Sequence, residues 1–212
     1  NLSKCQLKKG HLWMTITDGK ASIRAVIWSS LLPKLKFTPK ENDGVVIIGK
    51  INFWQNRASL IVQVLDIKIS LETVLHQFEV VRAAFDSEGL LDHSRKRSLP
   101  NYPQSIAILT SSPSSALSDM LRTSRDRWPL TKIFVFPIPV QGSVSRDIRK
   151  VILYLKEISS QFKLEAVILA RGGGNREDLM IFDDENVCRD LSSLSIPLIT
   201  GIGHEDDLTV AD

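Results

Sequence analysis

Four short apolar runs pace the second half of the chain: SIAILT from residue 105, KIFVFPIPV from 132, EAVILA from 165 and IPLITGI from 196. Helical spacing follows each of the first three, in ALSDMLRTSRDRW, VSRDIRKVILYLKEISSQF and REDLMIFDDENVCRDLSSL. Strand–helix alternation of this kind predicts a parallel sheet with helices on its faces. That architecture restricts where chemistry can sit, because ligands of open α/β sheets bind beyond the carboxyl ends of the strands. The four strand ends lead into TSSPSSALSD, PIPVQGS, ARGGGN and GIGHEDD. Between them these turns carry Asp119, Gln141, Arg171, His204, Asp206 and Asp207 on backbones rich in Gly, Ser and Pro.

Each candidate has two readings. Gly172, Gly173 and Gly174 can cradle a phosphate with backbone N–H groups, or simply make a tight turn. Their spacing is not the GxGxxG of a dinucleotide site. Arg171 can pair with phosphate and offset transition-state charge, or form a surface ion pair. His204 can move protons, or be structural. A His with two Asp is also a weak metal-site pattern. Asp119 either reaches the sheet edge or merely suits its helix dipole. Glu177, Asp178, Asp183, Asp184 and Glu185 read as a solvated helix face and helix-start charges.

The first third has a different pattern. HLWMTITDGKASIRAVIW alternates like a hairpin around Asp18-Gly19, and VVIIGKINFWQNRASLIVQVLDIKI like a second one around Asn56-Arg57. Four or five short strands suggest a small barrel of the oligonucleotide/oligosaccharide-binding (OB) kind. The net charge of the chain is only +3, but residues 1–70 hold 11 Lys and Arg against 4 Asp and Glu. A basic β module carrying Trp13, Trp28, Trp54 and Phe53 points to a polyanion, with bases stacked on aromatic rings. The bland alternative is that the tryptophans fill the core. Lys20, Arg24, Trp28, Lys50, Trp54 and Arg57 are the candidate nucleic-acid contacts.

The expected organisation is an OB domain over 1–70, a helix and linker over 71–103, and an α/β domain over 104–212. No apolar run approaches 18 residues, so no transmembrane helix is expected. Cys5 and Cys188 lie far apart, outside any metal-type spacing, and suit a reduced, cytosolic protein. A trimmed signal peptide could still have preceded Asn1.

The segment RGGGNREDLMIFDDENV…SIPLITGIGHEDDLTVAD closely resembles the large subunit of exodeoxyribonuclease VII. EGLLDHSRKRSLPNYPQSIAILTSSPSSALSDML and GHLWMTITDGKASIRAVIW resemble earlier segments of the same family. The resemblance implies a cytoplasmic nuclease that degrades single-stranded DNA from either end, to oligonucleotides and then to smaller products with 5′-phosphates. It implies catalytic roles for Asp119, Arg171, His204 and Asp207. It implies no strict metal requirement, with Mg²⁺ possible. It also implies a complex with several copies of a small subunit, docked on helices that would follow Asp212. By the same resemblance the chain is a fragment, and its barrel would lack the first strand. Three departures stand out: Asn175 where Ser is common, Met180 where an aromatic is common, and Asp206 where Thr is usual.

Overall fold

A computed structural model describes residues 1–35, 37, 39–55, 58–139, 144–204 and 206–212. The chain divides into two compact units, Asn1–His76 and Gln77–Asp212.

The first unit is a five-stranded sheet of β1 (Leu2–Lys8), β2 (His11–Thr17), β3 (Ser22–Ile27), β4 (Val45–Trp54) and β5 (Ser59–Ile69), in the order β1-β2-β3-β5-β4. Only the β3–β5 pair is parallel. The sheet curls until the start of β1 meets the chain entering β4: the Leu2 N–H donates to the Asp43 carbonyl, and the Asn42 N–H to the Leu2 carbonyl, both at 2.9 Å. Leu2, Leu12, Met14, Ala25, Ile27, Val64 and Ile67 fill the interior. At the β2–β3 turn the Asp18 carboxylate accepts the N–H groups of Lys20 and Ala21, and Gly19 takes a φ of +91°.

Here one expectation fails. The barrel was expected to lack its first strand, yet Leu2–Lys8 occupies the place beside β2. A bulge between Ser3 and Gln6, with Lys4 at φ 51°, breaks the two-residue alternation that marks a strand. Leu2 is also the only residue of that strand that is fully buried. The second expected turn, Asn56-Arg57, lies outside the described residues.

Helix α1 (Leu71–Ser87) carries the chain across the unit boundary. The second unit then alternates as expected: β6 (Ser105–Thr110), α2 (Ser115–Arg127), β7 (Lys132–Pro137), α3 (Ser145–Ile158), β8 (Ala166–Arg171) and, last, β9 (Leu198–Ile202). Its sheet is wholly parallel, in the order β7-β6-β8-β9. Every residue of β6 is buried, as a central parallel strand covered on both faces must be. α3 buries Ile148, Ile152 and Leu155, a four-and-three spacing on one face.

Between β8 and β9 the expected long helix is broken. It becomes α4 (Arg176–Leu179), a 3-10 turn over Met180–Asp183, and α5 (Glu185–Ser192). Asp184 causes the last break: its backbone is extended, and its carboxylate caps α5 by accepting the Val187 N–H at 3.0 Å.

Candidate functional site

The strand order reverses direction at β6. The chain runs outward from β6 to β7, then crosses back to β8 and on to β9. A crevice at the carboxyl ends of β6 and β8 is the expected binding position of such a sheet. Arg171 is the last residue of β8, and His204 follows the end of β9 by two residues.

The glycines there make room for side chains. A Cβ on Gly173 would overlap the His204 imidazole at Cε1 and Nε2. A Cβ on Gly174 would overlap the Arg171 guanidinium, and one on Gly203 would fall 2.5 Å from the Asp207 carboxylate. Gly203 also has a φ of +70°, which a side chain rarely adopts. Gly172 differs, since a Cβ there would meet nothing within 4 Å. The triple glycine is therefore more than a turn: two of its members seat the arginine and the histidine.

Hydrogen bonds fix the same group. The Gly203 N–H donates to the Arg171 carbonyl at 3.1 Å, joining the ends of β8 and β9. The Asp207 carboxylate accepts the His204 backbone N–H at 2.7 Å and lies 3.3 Å from His204 Nδ1. The imidazole is three-quarters exposed, while Asp207 is largely covered. The His204 backbone N–H, then the ring, and Arg176 at longer range hold the Asp207 carboxyl below its ordinary value. Arg171 is buried, and its Nη1 donates to the Gly172 carbonyl at 3.1 Å. A guanidinium with planar, fixed donors beside an exposed imidazole can grip a phosphate and pass it a proton.

The structure does not join Asp119 to this group. It is exposed on α2 and forms an ion pair with Arg122 at 2.8 Å. Asp206 is exposed beside His204. Gln141 lies outside the described residues. Among the described residues, no three His, Cys, Asp or Glu side chains come together as a metal site.

Asp183 corrects the reading of the acidic run as solvated. It is 1% exposed, its Oδ2 lies 2.6 Å from Nη2 of the partly buried Arg176, and its Oδ1 accepts the Val210 N–H at 2.9 Å. The Arg176–Asp183 contact is close in distance but misaligned as a hydrogen bond, and Arg176 Nη1 has no partner among the described residues. Burial lifts the Asp183 carboxyl above its ordinary value, against the pull of Val210 and Arg176. Arg176 also lies over the Phe78 ring, 5.3 Å from its centre. This pair ties the turn after the glycines to the segment after Asp207. Nothing in the spacing of the sequence signals it. Thr110 ends β6 fully buried, and its hydroxyl has no hydrogen-bond partner among the described residues; a polar residue closing an otherwise apolar strand was the clue to it in the sequence.

In the first unit the tryptophans are not core. Trp13 stacks on Trp54 with centroids 5.4 Å apart and planes 23° apart. Trp28 meets Trp13 edge-on at 6.5 Å and His11 at 4.7 Å. Strand register puts Lys50, Gln63, Val26 and Trp13 in one row across the sheet, and Asn52, Ile61, Arg24 and Thr15 in the next. Paired positions share a face, so Arg24 and Lys50 flank the tryptophans on the outer side. Lys20 is exposed at the hairpin tip, and Arg57 lies outside the described residues.

The fold and its two surfaces define a class: a β-barrel with a basic, aromatic outer face, joined to a doubly wound α/β unit with an arginine, a histidine and a glycine loop at its carboxyl edge. Comparison with known proteins narrows this. Residues 90–212 match the family described as exonuclease VII, large subunit, and residues 1–68 match an OB-fold nucleic acid binding domain. The chain belongs to the exonuclease VII large subunit family. It is 60% identical, over 100% of its length, to the exodeoxyribonuclease 7 large subunit of Parasynechococcus marenigrum (strain WH8102), covering 54% of that protein. It is 58% identical to the protein of the same name from Synechococcus sp. (strain CC9311), again over 100% of this chain and 54% of the relative. The chain thus spans about half the length of these relatives. Among the described residues, no helix is long and apolar enough to cross a membrane.

Proposed function

We propose that this chain forms the single-strand-binding and catalytic part of a cytoplasmic exodeoxyribonuclease, with residues 1–70 as the binding domain, 71–103 as a linker and 104–212 as the nuclease domain. The substrate is single-stranded DNA, attacked from either end and reduced to oligonucleotides and then to smaller 5′-phosphorylated products. A small subunit, in several copies, completes the enzyme. The observation that carries this reading is the seating of Arg171, His204 and Asp207 against Gly173, Gly174 and Gly203 at the switch point of the sheet.

The chemistry follows from that seating. Arg171 and the N–H groups of Gly172, Gly173 and Gly174 hold the scissile phosphate and offset the charge that grows on its oxygens. Asp207 accepts the Nδ1 proton of His204, which leaves Nε2 to take a proton from water. The water oxygen forms a bond to phosphorus, and the bond from phosphorus to O3′ breaks. The proton that His204 took from water passes to the leaving oxygen, which becomes a 3′-hydroxyl, and the 5′-phosphate stays on the other product. Asp119 orients the water or the imidazole, or holds a cation such as Mg²⁺, after exchanging its Arg122 partner.

The test uses the full-length protein with its small subunit. Labelled single-stranded and duplex DNA are incubated with parent protein and His204→Ala, with and without EDTA. The expected result is cleavage of single strands alone, lost in the variant. Binding without cleavage by the parent would instead make this a single-strand-binding module, and undiminished cleavage by His204→Ala would remove the role given to the histidine.

A further inference from the structure

Helix α2 leads from the carboxyl edge of the parallel sheet towards a pair of exposed aromatic rings. None of its residues is fully buried. Arg122 and Arg125 lie one turn apart on it, both exposed. At its far end Trp128 is 39% exposed and Tyr102 72% exposed, with their rings 5.4 Å apart and tilted by 34°. Beside them is a cavity of about 230 Å³, lined by Leu121, Arg125, Trp128 and Pro129 among others. The platform is pinned at its base: the Thr131 hydroxyl donates to the Pro103 carbonyl at 2.6 Å, and the Trp128 N–H to the Ser124 carbonyl at 2.8 Å. Arg125 and Arg127 also suit the helix dipole, but a dipole gives no reason for two large rings to face water.

The geometry points to a second contact for single-stranded DNA: the Tyr102–Trp128 pair stacks bases of a strand that runs along the outer face of α2, with Arg125 on its phosphates. This rests on the reading above that the substrate is single-stranded DNA. The thirteen residues of α2 span about 20 Å, enough for several nucleotides between the glycine loop and the platform. Stacking on rings is indifferent to sequence, so the platform would take any single strand. The arginine supplies the charge, and the rings supply area that is already ordered.

The experiment measures binding of labelled oligodeoxythymidine strands of rising length to the full-length protein with its small subunit. Tyr102→Ala, whose side chain is too exposed to be needed for folding, is expected to bind long strands about tenfold more weakly and short ones almost as the parent does. Trp128→Ala behaves alike, and Trp128→Phe restores most of the affinity. Arg125→Gln lowers the salt dependence by about one counterion. A parent that neither binds nor cuts single strands defeats the function proposed above. A parent that does both, with Tyr102→Ala holding long strands as tightly, defeats this inference alone. Loss of small-subunit capture with strand affinity intact would give the platform to a protein partner and overturn it as well.

Discussion

At the carboxyl edge of the parallel sheet, the side chains of the proposed site stand in spaces that glycines leave open, and each is held by a neighbour. On the outer face of the barrel, tryptophans lie against one another with no glycine making room for them. The first arrangement limits where each side chain can sit, which bond-making requires. The second presents flat area that accepts a base in many positions, which binding alone requires. A substitution at the edge should therefore damage rate, and one on the barrel face should damage affinity.

The largest expected effect follows from Arg171→Ala. It removes a buried guanidinium from the place given to the phosphate, and single-turnover cleavage should fall by about 10³-fold. A loss below tenfold would show that the phosphate is held elsewhere. Next is Gly173→Ala, whose Cβ must displace the imidazole and should cost about 10²-fold in rate with single-strand affinity nearly unchanged. Gly172→Ala, one residue away in open space, should cost far less. Equal losses at the two glycines would mean that backbone freedom, not room for His204, is what the loop supplies.

Much of this edge was legible in the sequence, for a physical reason. Strand–helix periodicity locates the strand ends, and a parallel sheet collects its ligand-binding turns at those ends. Arg171, His204 and Asp207 could be placed that way without any structure. Asp119 could not: periodicity puts it on α2 but does not say which partner it keeps, and the partner here is Arg122. Asp183 looked solvated because its neighbours in sequence are acidic, while its true partners, Arg176 and Val210, come from 7 and 27 residues away. The strand Leu2–Lys8 escaped because its bulge erases the alternation by which strands are recognised.

A third prediction tests the other side of the comparison. Trp13→Ala removes the centre of the stacked group in the barrel, since Trp13 touches both Trp54 and Trp28. Affinity for single strands should drop about tenfold while the single-turnover rate at saturating DNA stays within about twofold. A rate loss as large as that of Gly173→Ala would erase the distinction between the two surfaces.

The smallest effect is a pH dependence of stability at Asp207. Its carboxyl is held below the ordinary value, first by the His204 backbone N–H and then by the ring. A depressed carboxyl stabilises the fold fully above its unfolded-chain value, about 3.9, and loses that contribution as pH falls through the folded value. Thermal unfolding of parent and Asp207→Asn should therefore differ by a constant margin at neutral pH. The margin should narrow as the pH falls below about 4, because the parent surrenders what the amide never had. A margin that persists unchanged into strong acid would mean that Asp207 works by packing beneath His204 rather than by charge. The edge would then hold its histidine as the barrel holds its tryptophans, by contact alone.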